Sequence, residues 1–430
     1  MPGKTELQCR VIKFTNCHIV KGDRLVEQDL WIDSTSGKIL RDQEAFYELH
    51  LSPNEVIDLG GRILAPGLID VQLNGAQGFD FSVPQSSKED YDAGLRLVNK
   101  GLARTGVTSY LPTLVSSTAE VYRKVLPSLG PSGDNHTPED GAESLGAHVE
   151  GPFLSPGRNG VHKFEVLRSA TTPDDLAACY GHENLYGDSK TVRMITAAPE
   201  VGNMLETIPH IASQDIIYSI GHSDATYEQA LTATHQGATM ITHLFNAMRP
   251  FYHRNPGIFG LLGHQSYHPL RPFYGIIADG IHLHPTSIRI AYNAHPDGLI
   301  LVTDAMKLCG LPDGVYDWTN GERIIKTGAR LTLEGSDKIA GSSATLIECV
   351  NNFRRWSGAS TAQALNAASA TPARLLGLQG VKGSLDSGAD ADLIVLSDED
   401  DPYSGPTLTL NQVWKRGSKI YDSSKDSALN

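Results

Sequence analysis

From residue 65 onward the chain alternates short apolar runs with longer stretches whose apolar positions recur at helical spacing. Eight runs stand out, at 67–71, 106–111, 145–149, 192–196, 216–220, 238–242, 274–278 and 298–302. The stretch beginning at Tyr227 is typical of the segments between them: it reads as a helix that ends before Gly237. Strand, helix, strand in this rhythm predicts βα units and a parallel sheet. Eight units over residues 65–383 predict an α/β fold of the (β/α)8, TIM-like barrel type, whose usual size is about 250 residues. The alternative, an open doubly wound sheet, lacks a G-x-G-x-x-G after the first run.

The two ends have a different pattern. Residues 11–14, 18–20, 30–33, 38–40 and 56–59 are short runs rich in β-branched side chains, with a Ser-Thr-Ser-Gly turn at 34–37. After the eighth run, 344–356 and 361–376 read as helices, and 383–400 and 410–422 return to strand-like runs. Residues 1–64 and 384–430 are therefore expected to form one small β-sandwich domain beside the barrel. Segment 131–143, polar and rich in turn formers, reads as a surface loop, and 423–430 as a frayed end.

Bulk properties narrow the function. A chain of 430 residues exceeds one small core and suits a large barrel or two domains. A formal charge of −13 argues against a nucleic-acid partner and requires any anionic substrate to be met by local cations. Cys9, Cys17, Cys179, Cys309 and Cys349 are scattered, with no C-x-x-C, which suits reduced thiols in a cytoplasmic protein. The N-terminus carries no apolar signal core, and no run approaches the ~18 apolar residues of a membrane span.

Chemistry concentrates at the ends of the predicted strands, where a (β/α)8 barrel builds its site. The third run ends in Glu150, the fifth in Gly221-His222-Ser223-Asp224 and the sixth in His243. The seventh ends in Asp279-Gly280-Ile281-His282 and the eighth in Thr303-Asp304. Glu150, His222 and His243 together supply a carboxylate and two imidazoles, the open three-ligand pattern of catalytic zinc. A metal so held acidifies water, and Asp304 is placed to carry the proton; its alternative is a cap or a loop salt bridge. His162, at the end of the glycine-bearing loop after Glu150, could polarise a carbonyl, bond a hydroxyl, or simply face solvent. Asn246 and Ala247 follow His243 closely enough to face one pocket, or they begin the next helix. Arg254 suits a phosphate or carboxylate through its planar fork, or is a solvated loop charge.

Seven segments carry a resemblance: A-P-G-L-I-D-V-Q-L-N-G (65–75), H-V-E-G-P-F (148–153), G-H-S-D-A (221–225), T-H-L-F-N-A-M (242–248), A-D-G-I-H (278–282), V-T-D-A-M (302–306) and A-G-S (340–342). In this order, they resemble the N-acetylglucosamine-6-phosphate deacetylase family of the amidohydrolase superfamily. The resemblance implies hydrolysis of an N-acetyl amino-sugar phosphate at one divalent metal, zinc, held by Glu150, His222 and His243. It implies that Asp304 donates and accepts the proton and that His162 polarises the acetyl carbonyl. Val161, His162, Asn246, Ala247, Arg254, Asp279, His282, Ile339, Ala340 and Gly341 would bind the sugar phosphate, with Arg254 reaching across from the second subunit of a homodimer. Many amidohydrolases carry H-x-H in the first strand for a second metal. Gln72-Leu73-Asn74 stands there instead, which implies a single metal, since amides are poor zinc ligands beside imidazole. The same departure weighs against an amidohydrolase of cyclic amides or dipeptides. The intact set Glu150, His222, His243 and Asp304 weighs against a non-catalytic interaction protein.

Overall fold

The computed structural model describes residues 9–42, 44–48, 50–133, 136–188, 190–264, 271–318, 321–401 and 405–426. Each of the eight apolar runs is a strand: β1 (Leu68–Leu73), β2 (Val107–Leu114), β3 (Ala147–Glu150), β4 (Val192–Ala197), β5 (Ile217–Ile220), β6 (Ala238–Ile241), β7 (Phe273–Ile277) and β8 (Leu299–Val302). Neighbours pair in parallel from β1 through β8. The ring closes at one point: Leu73 bridges Ala305 in parallel, and the Asp304 amide donates to the Gln72 carbonyl at 2.9 Å. Ile69, Val71, Leu111, Met194, Met240, Ile277, Ile300 and Val302 fill the barrel with apolar side chains, together with Leu375 and Leu376. A filled lumen leaves the rim as the place for chemistry.

The intervening helices stop and start as the sequence requires. Thr226 caps Tyr227–Gln236 through the Gln229 amide, and Gly237 ends that helix at φ 119. The segment predicted as one helix over 361–376 is two, Thr361–Asn366 and Ala370–Leu375. The break has a use. The Ala367 carbonyl accepts the Leu301 amide of β8, and the Ala368 carbonyl accepts the Ile69 amide of β1. Carbonyls still engaged in an unbroken helix could not do this.

Both chain ends build the smaller unit. One sheet comes from the N-terminal region alone: Lys38–Leu40, Leu30–Asp33, Val11–Thr15 and Glu55–Asp58. The other is mixed: Ser418–Asp422, Gly405–Lys415, Leu393–Asp401, Ile63–Pro66, His18–Lys21 and Arg24–Glu27. Phe14 and Trp414, whose rings meet edge-on at 5.1 Å, belong to the apolar layer they share. A cluster of buried charges ties this unit to the barrel. Lys415 Nζ bonds Asp392 (2.7 Å), Glu143 and the Thr108 carbonyl (3.0 Å), and Lys382 Nζ bonds Asp390, Asp392 and Glu143. Glu143 is the buried end of the segment read as a surface loop, of which residues 134–135 lie outside the described residues. The polar end of the chain forms a short helix at Ser423–Asp426, and 427–430 lie outside the described residues.

One element has no counterpart in the sequence reading. Between β8 and the helix Leu346–Ser357 lies an antiparallel four-stranded sheet: Gly314–Asp317, Arg323–Thr327, Arg330–Leu333 and Ile339–Ser342. Its strands are short and half-exposed, so their apolar alternation is weak. Among the described residues no helix is long and apolar enough to cross a membrane.

Candidate active site

The strand ends bring five titratable groups to one rim. Glu150 ends β3. His222, His243 and Asp304 each lie two residues past β5, β6 and β8, and Asp279 two past β7. His222 (φ 49), His243 (φ 26) and Asp304 (φ 47) all adopt left-handed backbone conformations. Such residues cost on the order of 1–3 kcal/mol each and persist only where the surroundings hold them. At Asp304 the hold is visible: Asp70 accepts the Thr303 hydroxyl at 2.6 Å, beside the Gln72 carbonyl that accepts the Asp304 amide.

Glu150 Oε1, His222 Nε2 and His243 Nε2 form a triangle with sides of 3.1, 2.9 and 3.0 Å. All three side chains are buried. His222 Nδ1 lies 2.8 Å from the Arg158 carbonyl, an obligate acceptor, so Nδ1 carries the proton. That leaves Nε2 as the atom presented to Glu150 Oε1 and His243 Nε2, and a carboxylate oxygen with two imidazole Nε2 atoms is a donor set that fits a divalent metal. Tetrahedral coordination at about 2.0–2.1 Å spaces ligands by roughly 3.3 Å, a small expansion of this triangle. Burial alone would raise the Glu150 carboxyl, but the two facing imidazoles hold it well below the usual carboxylate range.

His162 stands beside this triangle. Its ring meets that of His222 at 4.4 Å, and its Nε2 is 4.0 Å from Glu150 Oε2. By distance alone Glu150, His162 and His222 also make a metal-sized group. Hydrogen bonding decides against that choice. The Ser116 amide donates to His162 Nδ1 at 3.0 Å, and a backbone amide can only donate. Nδ1 is therefore the acceptor and Nε2 keeps its proton, which makes His162 a donor and not a ligand. Burial, reinforced by His222, pushes this imidazole down to about 3, so it stays neutral. Ser116 is a residue the sequence reading missed. It lies just past β2, and Gly151 at φ 79 admits it: a Cβ there would stand 2.1 Å from Ser116 Oγ.

Asp304 keeps some exposure to the cleft. Asn74 Nδ2 donates to its Oδ1 at 2.7 Å, leaving Oδ2 for other partners. Burial and the charge of Glu150 raise its pKa. Gln72 Nε2 donates to Glu150 Oε1 at 3.2 Å. Asp279 turns inward: Oδ1 accepts the Ile281 and His282 amides and Oδ2 meets His282 Nδ1 at 2.7 Å. Burial alone would lower His282, but this contact raises its pKa.

The remaining predicted residues lie on the surrounding loops. Val161 is 75% exposed beside His162. Asn246 is half-buried, with its side-chain amide on the His243 carbonyl at 3.3 Å, and Ala247 adopts φ 47. Ile339, Ala340 and Gly341 lie on the last strand of the inserted sheet, which joins the Met306 amide through the Ser342 carbonyl at 2.9 Å. Arg254 is exposed, its Nε 3.2 Å from His253 Nε2. A second acidic group, Glu143, Asp390 and Asp392, is already paired with Lys38, Lys382, Lys415 and Arg416 and is no counterpart to this rim.

Known proteins share this plan. The model of the amidohydrolase family matches residues 63–421. N-acetylglucosamine-6-phosphate deacetylase of Mus musculus is 46% identical over 401 residues, covering 92% of this chain and 94% of its own. That of Danio rerio is 43% identical over 426 residues, covering 98% and 100%. A mutant N-acetyl-D-glucosamine-6-phosphate deacetylase from Mycobacterium smegmatis, solved in complex with N-acetyl-D-glucosamine-6-phosphate, superposes with a TM-score of 0.75 at 27% identity, over 96% of this chain and 99% of that one. The chain belongs to the amidohydrolase family, among its N-acetylglucosamine-6-phosphate deacetylases.

Proposed function

We propose that the protein hydrolyses N-acetyl-D-glucosamine 6-phosphate to D-glucosamine 6-phosphate and acetate. The observation that carries the reading is the convergence of Glu150 Oε1, His222 Nε2 and His243 Nε2 within 2.9–3.1 Å, on a rim shared with Asp304. Those three residues hold one divalent metal, with zinc the best match to two imidazoles and a carboxylate. A cation there supplies Lewis acidity, lowering the pKa of a water to about 7. His162 Nε2–H donates to the acetyl oxygen as negative charge develops on it, and its neutrality keeps that donor in place over a wide pH range. Asp304 accepts the proton of the attacking water and returns it to the amine nitrogen as the C–N bond breaks. The raised pKa of Asp304 suits the second half of that exchange.

Phosphate recognition falls to cations, as the overall charge of −13 requires. His282, made more basic by Asp279, and Arg254 are the cations we assign to it. Arg254, exposed on its own chain, serves the site of the partner copy in a homodimer. Asn246, the Ala247 backbone and Ile339, Ala340 and Gly341 form the sugar wall. All five cysteines are free and four are buried, which supports a reducing, cytoplasmic location.

The test is release of D-glucosamine 6-phosphate from N-acetyl-D-glucosamine 6-phosphate, with and without a chelator, alongside metal analysis. Turnover that a chelator abolishes, with one ion per chain, is expected. No turnover by the metal-replete protein would sink the reading, and two ions per chain would contradict the single site.

A further inference from the structure

The loop between Glu150 and His162 is wrapped around His222. The Ser155 amide donates to the His222 carbonyl at 2.9 Å, and the Arg158 carbonyl takes the His222 Nδ1 proton at 2.8 Å. Gly160, at φ 57, lies so close that a Cβ would stand 3.2 Å from His222 Cε1. Asn159 then folds the end of the loop by bonding the His162 carbonyl through its side chain and the His162 amide through its own carbonyl. This short piece of chain therefore sets the tautomer of one imidazole and the position of another.

The loop is itself anchored at Asp224, the last polar residue of the G-H-S-D-A segment, to which the mechanism assigns nothing. Arg158 grips Asp224 Oδ1 with Nε at 2.9 Å and Nη2 at 2.7 Å. Arg249 holds Oδ2 with Nη2 at 3.0 Å and the Asp224 carbonyl with Nε at 2.7 Å. Glu200 accepts the Asp224 amide at 2.6 Å and the Ser223 hydroxyl at 2.7 Å. Loops after β3, β4, β5 and β6 thus meet at Asp224, those after β3 and β6 on its carboxylate and that after β4 on its backbone amide.

We propose that Asp224 is a positioning residue. Through Arg158 it keeps the carbonyl that orients His222 Nε2 toward Glu150, and through the same loop it keeps His162 Nε2–H beside the metal ligands. One carboxylate then governs both metal retention and polarisation of the acetyl group, although it touches neither. The inference rests on the assignment of His222 as a metal ligand. Its signature differs from that of a structural ion pair. The Asp224 side chain is 41% exposed, and ion pairs at such exposure add little to folding. Groups that orient a ligating histidine, in contrast, typically change metal affinity by about 10–100-fold.

The experiment uses the full chain and the variants Asp224→Asn, Arg158→Gln and Arg158→Lys. Zn2+ dissociation constants come from competition with a chromophoric chelator, kcat and KM from saturating metal, and the thermal transition from the metal-free protein. Asp224→Asn and Arg158→Gln are each expected to weaken Zn2+ binding by about 10–100-fold. Each should also lower kcat at saturating metal while KM stays within a few-fold. The metal-free transition should stay in place, and Arg158→Lys should recover part of both losses. The double variant should be no worse than either single, because both act through one contact. Zn2+ affinity and kcat within twofold of the unsubstituted protein would overturn the proposal, as would a metal-free transition that falls in step with affinity. If the unsubstituted protein took up no Zn2+, the metal assignment itself would fail, and the proposal with it.

Discussion

Asparagine at position 304 separates the proton chemistry of Asp304 from its place in the fold. The side chain keeps its size, and asparagine tolerates the left-handed backbone at φ 47 as well as aspartate does. The new amide oxygen can accept the Asn74 Nδ2–H bond that Oδ1 now accepts at 2.7 Å. What changes is the second position, where an NH2 group unable to take a proton replaces a carboxylate oxygen. Positioned acid–base catalysis is worth about 10²–10⁴ in rate, or roughly 2.7–5.4 kcal/mol at 1.36 kcal/mol per decade. Because the same residue serves two transfers, water to carboxylate and carboxylate to amine, Asp304→Asn should fall toward the upper end. The assay is D-glucosamine 6-phosphate release at saturating substrate, with bound metal measured in the same preparation. KM should stay within a few-fold and metal content unchanged, since Asp304 makes no described hydrogen bond to Glu150, His222 or His243. A loss in kcat below tenfold would refute the proton-carrier assignment. A loss that tracked a loss of metal would make Asp304 a ligand instead. Asp304→Ala is the poorer probe, because alanine adds left-handed strain of about 1–2 kcal/mol to any chemical effect.

His282 predicts a pH dependence. Its raised pKa means that the cation is fully present below the ordinary value of about 6.5 and is lost as pH climbs through the raised one. KM for the phosphorylated sugar should therefore rise as pH is increased from neutral, and His282→Gln should flatten that rise; a flat profile in the unsubstituted protein would remove His282 from phosphate binding. Arg254→Ala should raise KM for the 6-phosphate by roughly 10–100-fold, with kcat nearly unchanged. An unaltered KM would show that the phosphate is held elsewhere. Lys415→Met tests the buried charges that join the two units. Breaking a buried pair costs about 3–5 kcal/mol, and without Lys415 the single Lys382 ammonium is shared among Glu143, Asp390 and Asp392, so a loss within that range is expected. Chemical denaturation showing a loss below about 1 kcal/mol would mean that the cluster does not lock the units together.

The barrel was legible because strands buried on both faces must be continuous apolar runs, and Leu299–Val302 allows no other reading between its glycine and its polar rim. The rim followed directly, since strand ends place residues without further information. Contacts between loops did not follow. Ser116 and His162 are 46 residues apart, and Asn74 and Asp304 are 230 apart, so no local pattern pairs them. The inserted sheet that ends at Ser342 escaped for a different reason. Its strands have at most two buried positions each, too few to mark a period of two. The helix break at 367–369 is dictated by strand amides elsewhere in the chain that need its carbonyls.

The Gln72-Leu73-Asn74 segment links the sequence departure to the chemistry. A register irregularity in the pairing of β1 with β2, between Asp70 and Leu73, reverses the alternation set by Ile69 and Val71, so that Gln72 and Asn74 reach the carboxylates at the mouth of the barrel and Leu73 is buried in the main core. Gln72 spends an amide N–H on Glu150 Oε1 and Asn74 one on Asp304 Oδ1. An imidazole at either place would offer a lone pair to a cation, whereas an amide turned this way offers only a donor to a carboxylate. The preference has a cost: Asn74 Oδ1 is buried without a hydrogen-bond partner among the described residues, a penalty on the order of 1–3 kcal/mol. Turning the amide over would bring that oxygen against the Asp304 carboxylate, a worse contact. The first strand thus gives up metal-ligating capacity and gains control of two carboxylates. One of them, Glu150, belongs to the triangle proposed to hold the metal, and the other, Asp304, keeps Oδ2 clear of the Asn74 amide for its proposed proton transfer.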